Sequence, residues 1–319
     1  MKALITGAGG FVAPYAAKAL AARLPGIEIV ASSLRGGPAP GFADTQALDA
    51  SDPAALAAML ETLRPTHVLH LAGVAAPQQA GADPDAAWRI NALGTLALGR
   101  AILRVSPQTI LLSAGSGAAY GASANRFAAL DEEAAFAPAD DYGATKAAAD
   151  LGLGAMAARG LRVVRLRPFN HTGPGQSEDY AAPAFAAQIA AIEAGRRAPA
   201  LKVGNLDAER DFCDVRDVAG AYALAALAAS EGRLAPGRAF NLCSGRALTM
   251  RALLDMLLAM SGVAGRVPPD PARPRPPPTP PLGGRPRRAE AELGWRAATP
   301  IETTLADLLE EQRARLRAS

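Results

Sequence analysis

The chain has 319 residues, of which 50% are hydrophobic and 20% are charged, and its formal net charge is +3. That length favours about two domains with a sizeable buried core, and the composition is typical of a globular protein. The small net charge does not indicate a nucleic-acid partner, and the sequence has no apolar run of the roughly 18 residues that a membrane span needs.

The first predicted element is a short buried strand, Ala3-Leu4-Ile5, which leads into a glycine-rich turn and an Ala-rich helix. Glycines allow a tight turn and a close approach of the backbone to a ligand, and the helix N-terminus that follows can bind a pyrophosphate. We interpret the spacing G-x-x-G-x-x-A as a dinucleotide site, with a purely structural turn as the alternative. The residues assigned to this site are Gly7, Gly10, Phe11 and Val12.

The second strand is predicted over 27–31 and leads into Ser32-Ser33-Leu34-Arg35. In NAD sites of this kind an Asp or Glu at that strand end bonds the adenosine ribose, and none occurs here. The Ser33 hydroxyl and the Arg35 guanidinium suit a 2′-phosphate better. NADP(H) is therefore the favoured cofactor and NAD(H) the alternative, although Arg35 can also be interpreted as a solvated loop residue.

Strands and helices then alternate along the chain, and Asp52 and Pro53 are typical of a helix start. Predicted helices are 53–64, 85–105 and 142–159, and predicted strands are 67–71, 109–113 and 162–166. This alternation indicates an α/β fold with a Rossmann-type, doubly wound parallel sheet, in which ligands bind at the carboxyl ends of the strands. Asp49, Ala72, Gly73 and residues 113–117 lie at such ends.

Tyr142 and Lys146 are four residues apart, so on a helix they lie on one face. We expect the nearby ammonium to lower the pKa of Tyr142 from about 10 toward neutrality, where the phenol can exchange protons with a substrate oxygen. Ser116 follows the strand beside this helix and can bond the same oxygen. The structural alternatives are a half-buried surface tyrosine, a solvated lysine and a loop serine.

With these motifs the chain resembles the extended short-chain dehydrogenase/reductases, essentially from end to end. The resemblance rests on the glycine turn, Asp49, His70-Leu71-Ala72-Gly73, Asn91, Ser116 four residues before Tyr120, and the pair Tyr142/Lys146. In the second half, the runs 167–176 and 202–212 resemble the branch that acts on GDP-sugars. That branch includes the GDP-6-deoxy-D-mannose reductases and, more loosely, the GDP-mannose 4,6-dehydratases.

The resemblance implies a role for each matched residue. Tyr142 would be the general acid, Lys146 its pKa tuner and ribose anchor, and Ser116 a donor to the substrate carbonyl. The further cofactor contacts that it implies are Asp49, Leu71, Ala72, Gly73 and Asn91. The substrate contacts that it implies are Asn170, Gln188, Arg210 and Arg275. The two arginines would hold the diphosphate, since a guanidinium bonds phosphate oxygens in pairs.

One departure from the family pattern distinguishes the reductases from the dehydratases. The dehydratases carry a Glu two residues before the Tyr of their Tyr-Gly pair, where this chain has Ala118, which cannot move protons. The resemblance therefore implies NAD(P)H-dependent reduction of the C4 keto group of GDP-4-keto-6-deoxy-D-mannose to GDP-D-rhamnose. The alternatives are a nucleotide-sugar dehydratase or epimerase that uses another carboxylate, such as Asp140 or Asp141, and a non-catalytic NADP-binding regulator.

The Pro- and Arg-rich run 266–288 would by composition be a linker or a basic tail, and without aromatic residues it makes a poor nucleic-acid site. The resemblance places it around the substrate diphosphate, with Pro278 where relatives often have an acid. A strand over 239–243 is predicted to return to the main sheet, and 301–316 to form an amphipathic closing helix. We expect 1–170 with 211–245 to bind the cofactor, and 171–210 with 246–319 to bind the nucleotide sugar.

Cys213 and Cys243 lie far apart, and the three histidines show no metal-ligand spacing. We expect reduced, part-buried thiols, no metal and a cytoplasmic location. The N-terminus is interpreted as a buried strand and not as a signal peptide. Members of the resembled family often dimerise through the helices 85–105 and 142–159, whose Ala-rich faces permit close packing, so a homodimer is expected.

Overall fold

The computed structural model describes residues 1–125, 129–263 and 282–318, so the predicted sites Arg275 and Pro278 lie outside the described residues. The strands are β1 (Lys2–Thr6), β2 (Glu28–Ser33), β3 (Gln46–Ala47), β4 (His67–His70), β5 (Ile110–Ala114), β6 (Val163–Pro168), β7 (Asn170–Thr172), β8 (Glu209–Asp214), β9 (Ala239–Leu242) and β10 (Ala247–Thr249). The helices are α1 (Ala13–Arg23), α2 (Pro53–Leu63), α3 (Pro77–Ala82), α4 (Pro84–Ala87), α5 (Thr95–Val105), α6 (Asp141–Ala157), α7 (Ala181–Glu193), α8 (Val215–Ser230), α9 (Met250–Ala259), α10 (Arg287–Leu293) and α11 (Ile301–Ala318). A π-helical turn, Trp88–Gly94, joins α4 to α5, and 3-10 turns form Gly117–Asn125.

Among the described residues, seven strands form one parallel sheet in the order β3-β2-β1-β4-β5-β6-β9. Its central strands are mostly apolar because helices cover both faces of the sheet. Successive residues of one strand point to opposite faces and therefore pack in two different apolar cores. Ile5 and Leu69 pack with α1 and α8, whereas Leu4 and Val68 pack with α2 and α5. This Rossmann-type, doubly wound sheet confirms the predicted fold class.

The start of α2 is an element that local sequence determines. The Asp52 carboxylate accepts hydrogen bonds from the N–H groups of Ala54 and Ala55, at 2.8 and 3.3 Å. Pro53 occupies the first turn, where a missing N–H group costs no helical hydrogen bond. Both signals are visible in the sequence, and the predicted helix start is confirmed.

The helix predicted as continuous over 85–105 is interrupted by the π-helical turn, and the short helix α3 precedes it. A Cβ on Gly94 would lie 2.5 Å from the carbonyl oxygen of Ala50. The turn therefore packs so closely against the loop of Ala50 that only glycine fits at position 94. That contact comes from a segment distant in the sequence, which helical periodicity does not reveal. Such turns are frequent at functional sites, and Asn91 lies in this one.

A second sheet, with the order β10-β8-β7, is covered by α7, α9 and α11, which enclose a separate apolar core. Strands β7 and β8 are parallel, and β8 and β10 are antiparallel. As predicted, β9 returns to the large sheet beside β6, and the closing helix is observed as α11. The expected domain boundary at residue 211 falls inside β8, and the division into two domains stays a prediction.

No helix of the described ranges is both long and apolar enough to cross a membrane. Cys213 and Cys243 are free thiols, and both are fully buried, not part-buried as expected, because β8 and the end of β9 lie in the interior. Burial raises the pKa of both thiols, which disfavours the reactive thiolate. The cytoplasmic location inferred from the cysteines stays a prediction.

Candidate active site

The turn after β1 has the shape of a phosphate-binding loop. Gly7 has a φ of +76°, and a Cβ on it would lie 2.6 Å from the backbone nitrogen of Ala72, so only glycine fits. The N–H of Gly10 donates to the carbonyl of Gly7 at 2.9 Å. The helix α1 then begins at Ala13 without a side-chain cap, where the N–H of Ala13 donates to the carbonyl of Gly10 at 3.3 Å and Pro14 has no N–H group.

Two further features of this region fit a dinucleotide. The Oγ atom of Ser32, at the carboxyl end of β2, is buried and has no hydrogen-bond partner among the described residues. Phe11 and Val12 are partly exposed beside the glycine turn. A glycine cradle, an uncapped helix start and an orphaned hydroxyl together suit the phosphates and the ribose of a dinucleotide.

The residues expected at the adenosine end lie in two loops. Ser33 Oγ bonds Thr45 Oγ1 at 2.9 Å, so this hydroxyl shapes the loop that follows β2, and Arg35 is exposed in the same loop. Asp49 is exposed beyond β3, where hydrogen bonds from the hydroxyl and the N–H of Ser51 lower the pKa of its carboxyl. The Arg35 guanidinium is therefore the accessible group of this set with the charge that a 2′-phosphate needs.

Asn91 ties the loop after β4 to α6. Its Oδ1 accepts the N–H of Val74 at 2.8 Å, and its Nδ2 donates to the carbonyl of Val74 and to Thr145 Oγ1. Thr145 in turn donates to the carbonyl of Tyr142 at 2.8 Å. A Cβ on Gly73 would lie 2.7 Å from Asn91 Oδ1, so the loop assigned to the cofactor passes directly against this amide.

Ser116, Tyr142 and Lys146 meet at the carboxyl end of β5. Ser116 Oγ accepts the N–H of Ala118 at 3.1 Å, which leaves its own proton to be donated, and it lies near enough to the Tyr142 phenol to oppose the rise of that group's pKa. Lys146 Nζ donates to the carbonyl of Ala114 at 3.1 Å. The structure therefore brings together the three residues that the sequence singled out.

The predicted lowering of the Tyr142 pKa is wrong. Burial raises the pKa of this phenol to about 12, and the hydrogen bond with Ser116 opposes that shift only in part. Burial also lowers the pKa of Lys146 to about 8. The expectation failed because spacing on a helix carries no information about desolvation, which both side chains undergo where α6 packs on the end of β5.

The two acids considered as substitutes for a dehydratase Glu are engaged elsewhere. The carboxylate of Asp140 caps α6 by accepting the N–H of Gly143 at 2.7 Å. Asp141 accepts the indole N–H of Trp88 at 3.3 Å. Ala118 itself lies against this helix start, since a Cβ on Gly143 would be 2.7 Å from its carbonyl oxygen.

A cavity of about 830 Å³ lies between the small sheet, α7 and the loop after β4. Three of the described residues assigned to the substrate line it: Asn170, Gln188 and Arg210. Ser116 and Tyr142 are not among its lining residues. Tyr180 lines the cavity and also lies near Tyr142, so it marks the side of the cavity that approaches the Ser116–Tyr142 pair.

Sequence reasoning missed several polar residues of this cavity: Gln78, Gln79, Tyr180, Arg197 and Lys202. Gln78 and Gln79 belong to α3, and Pro77 at the first position of that helix is the signal that could have predicted it. Tyr180 and Arg197 lie between the two resembled runs, Lys202 is the first residue of the second run, and no local pattern marks any of them as a cavity residue. Their placement depends on how the small sheet packs against α7.

The side-chain amide of Gln188 forms hydrogen bonds with backbone groups of the protein. Its Oε1 accepts the N–H of Lys202 at 2.8 Å, and its Nε2 donates to the carbonyls of Lys202 and Ala184, at 3.2 and 3.0 Å. Gln188 therefore fixes the segment of Lys202 at the cavity wall. Its implied contact with the nucleotide stays a prediction.

The chain matches, over residues 3–243, the model of the NAD dependent epimerase/dehydratase family. It is similar to the GDP-6-deoxy-D-mannose reductase of Pseudomonas aeruginosa, with 35% identity over 254 residues that cover 79% of this chain and 82% of the relative. Its fold is similar to the structure of RMD from Pseudomonas aeruginosa complexed with NADPH, with a TM-score of 0.84, 30% identity and coverage of 98% and 99% of the two chains. It is also similar to the UDP-glucose 4-epimerase of Thermus thermophilus in complex with NAD, with a TM-score of 0.83, 27% identity and the same coverage.

Proposed function

The chain belongs to the NAD dependent epimerase/dehydratase family, and from this premise we propose that it reduces GDP-4-keto-6-deoxy-D-mannose to GDP-D-rhamnose with NADPH. Its relatives are nucleotide-sugar reductases, dehydrogenases and epimerases, so it is an NAD(P)-dependent oxidoreductase, and its resemblance to the extended short-chain dehydrogenase/reductases is confirmed. The substrate, the product and the preference for NADPH are the parts that we propose.

One observation carries the proposal: the phenol of Tyr142 lies near Ser116 at the end of β5, where Lys146 donates to the carbonyl of Ala114, while position 118 holds an alanine. Reduction of a ketone needs one proton donor at the carbonyl oxygen. Elimination of water needs an additional acid/base group on the sugar, and Ala118 cannot supply it. The site therefore fits a reductase better than a dehydratase.

The chemistry divides between the cofactor and this chain. NADPH, when bound, supplies the hydride that the sugar C4 accepts. Tyr142 is protonated at neutral pH, because burial raises its pKa to about 12, and it gives this proton to the developing alkoxide at O4. Ser116 donates a hydrogen bond to the same oxygen as negative charge develops. Lys146, with a pKa of about 8, is mostly charged at pH 7 and stabilises the phenolate until it regains a proton from solvent.

The cavity is lined by three cationic side chains, Arg197, Lys202 and Arg210, which suit a nucleoside diphosphate, and by two carboxylates, Glu178 and Asp179. We assign Arg210 to the diphosphate because its guanidinium is partly buried, and Nη1 donates to the carbonyl of Glu209 at 2.7 Å, which orients the group. We assign Asn170, which is exposed at the start of β7, to the sugar hydroxyls. Arg275 stays a proposed second diphosphate contact.

The preference for NADPH rests on the loop after β2. Residues 32–35, at the end of β2, expose Arg35 and contain no acid that would bond a ribose 2′-hydroxyl. The similar Pseudomonas structure holds NADPH, whereas the similar Thermus epimerase holds NAD. Charge-assisted hydrogen bonds from Arg35 to a 2′-phosphate support a preference for NADPH of about tenfold or more.

The direct test supplies GDP-4-keto-6-deoxy-D-mannose with NADPH, and then with NADH, while absorbance reports oxidation of the cofactor. We expect turnover with both cofactors and a higher kcat/KM with NADPH. The configuration at C4 of the product, determined by NMR, should be that of D-rhamnose. A talose product would support the assignment as a reductase and would show that the proposed configuration at C4 is wrong.

The rival activities are tested with the same preparation. A dehydratase would convert GDP-mannose alone, without net consumption of NADPH, and an epimerase would interconvert UDP-glucose and UDP-galactose with a recycled cofactor. Turnover of either compound, without reduction of the keto sugar, would refute the proposed function. Binding of NADPH without any turnover would instead indicate a regulator.

We also propose a homodimer that buries the exposed apolar side chains beside α5 and α6. Leu93 and Leu151 are 58% and 60% exposed, and Trp88 is 39% exposed. We expect the double substitution Leu93→Arg and Leu151→Arg to convert the dimer into a monomer, because buried, unpaired charges are unfavourable at an interface. Light scattering coupled to size exclusion measures the mass.

Leu34 supplies the control for this prediction. It is 67% exposed, but it lies in the loop after β2 and belongs to neither helix. Leu34→Arg should keep the dimeric mass. A wild-type protein that is monomeric at micromolar concentration would contradict the proposed dimer.

A further inference from the structure

A buried ionic network around Arg167 lies behind the candidate site. The side chain of Arg167 is 6% exposed, and its Nε and Nη2 donate to the two carboxylate oxygens of Asp150, each at 2.9 Å. Its Nη1 donates to Tyr120 Oη at 2.7 Å and to the carbonyl of Glu132 at 3.1 Å. The guanidinium also lies 4.6 Å from the centre of the Phe136 ring. These contacts hold the group in one orientation.

The partners of Arg167 belong to the two segments that carry the reacting groups. Asp150 lies on α6, one helical turn after Lys146. Tyr120 lies in the 3-10 turns that directly follow Ser116, and it is fully buried. Arg167 therefore connects the serine segment to the helix of the tyrosine and the lysine through side-chain bonds alone.

The ion pair also passes directly behind the residue that precedes Ser116. A Cβ on Gly115 would lie 3.8 Å from both Arg167 Cγ and Asp150 Oδ2, and 3.1 Å from the carbonyl of Leu166. The N–H of Gly115 donates to that carbonyl at 2.7 Å. The ion pair therefore borders the backbone segment that carries the serine.

We propose that Arg167 is a positioning residue for the reduction. It holds Asp150 and Tyr120 at once, and it thereby sets the distance between the Ser116 hydroxyl and the Tyr142 phenol. A planar guanidinium suits this task, since it binds a carboxylate with two N–H groups and keeps a third for the phenol. This inference rests on the proposed function, in which the two hydroxyl groups act on one substrate oxygen.

Arg165 is a matched control on the same strand. Its Nη1 donates to Asp150 Oδ1 at 2.6 Å and its Nε donates to the carbonyl of Gly237 at 2.9 Å, and neither bond reaches Tyr120. A lysine at either position keeps a positive charge near Asp150. Only Arg167→Lys removes the side-chain connection that runs from Asp150 on α6 to Tyr120 in the serine segment.

The experiment compares kcat and KM of Arg167→Lys and Arg165→Lys for the keto sugar. Because a misplacement of about 1 Å can cost about 100-fold in rate, we expect Arg167→Lys to lower kcat about 100-fold with KM within about twofold. Arg165→Lys should keep kcat within about threefold of the wild type. A purely structural role would lower the melting temperature of both variants and leave both kcat values near wild type, and that result would overturn the inference.

Amide hydrogen exchange of the peptide 115–125 supplies a measurement that does not depend on turnover. We expect faster exchange in Arg167→Lys and unchanged exchange in Arg165→Lys; equal exchange in the two variants would overturn the inference. If the wild type fails to reduce the keto sugar, the proposed function is refuted, and the exchange data still decide whether Arg167 holds the two segments together.

Tyr120→Phe replaces Arg167→Lys if the latter does not fold. The substitution removes the hydroxyl that accepts from Arg167 Nη1 and keeps the aromatic ring in place. The loss of one such hydrogen bond should lower kcat about tenfold with little change in KM. Wild-type kcat in this variant would contradict the connection through Tyr120.

Discussion

Tyr142→Phe is expected to lower kcat for reduction of the keto sugar at least about 1000-fold, because positioned proton donors contribute about 10²–10⁴-fold. The substitution removes only the phenol oxygen of Tyr142, which lies near the end of β5, and it leaves the packing of α6 unchanged. Neighbouring groups cannot replace it, since position 118 is an alanine and the Asp140 carboxylate caps the helix. Steady-state kinetics give the loss of turnover, and circular dichroism and a fluorescence titration with NADPH give fold and cofactor binding.

Tyr15→Phe is the control for the loss of a phenol hydroxyl. The phenol of Tyr15 donates to the carbonyl of Pro174 at 2.8 Å and takes no part in the Ser116–Tyr142 pair. We expect this variant to keep most of its activity. Near wild-type turnover in Tyr142→Phe would refute the assignment of the general acid.

Lys146→Met is expected to lower kcat about 100-fold or more and, at the same time, to stabilise the fold. The activity falls because the phenolate of Tyr142 loses its neighbouring charge. The stability rises because burial lowers the pKa of Lys146 from 10.5 to about 8, so the folded protein at pH 7 holds an unfavourably desolvated ammonium. The gain is up to about 3 kcal/mol, reduced by the lost hydrogen bond to Ala114.

The gain in stability should depend on pH with a definite sign. Between about pH 8 and pH 10.5 the unfolded wild type binds more protons at this lysine than the folded one, so the stability of the wild type rises with pH in this window. The advantage of Lys146→Met is therefore largest below pH 8 and disappears by about pH 10.5. Urea unfolding at several pH values measures the difference.

Lys18→Met supplies the reference for this titration, since Lys18 is exposed on α1. Its difference from the wild type should stay within about 0.5 kcal/mol at every pH. If Lys146→Met is less stable than the wild type at pH 7, the desolvation cost assigned to this ammonium is wrong.

Much of the fold is predictable because its signals are local. The Asp52-Pro53 helix start, the apolar strands and the glycine turn each depend on a few adjacent residues, and each is observed where the sequence places it. The interruption of the helix 85–105 was missed, because helical periodicity does not reveal the π-helical turn or the close approach of Gly94 to the carbonyl of Ala50. Sequence patterns describe the surface that an element presents, and they do not describe what packs against it.

The fold class, the family and the choice of Ser116, Tyr142 and Lys146 follow from the sequence, since strand–helix alternation and short motifs carry this information. The protonation of Tyr142 and Lys146 depends on packing, because burial where α6 meets β5 raises the pKa of the tyrosine and lowers that of the lysine. The tertiary structure also decided what holds them in place. Arg167 bonds two segments that are distant in sequence, and such a connection exists only once the strand, the helix and the 3-10 turns have packed together.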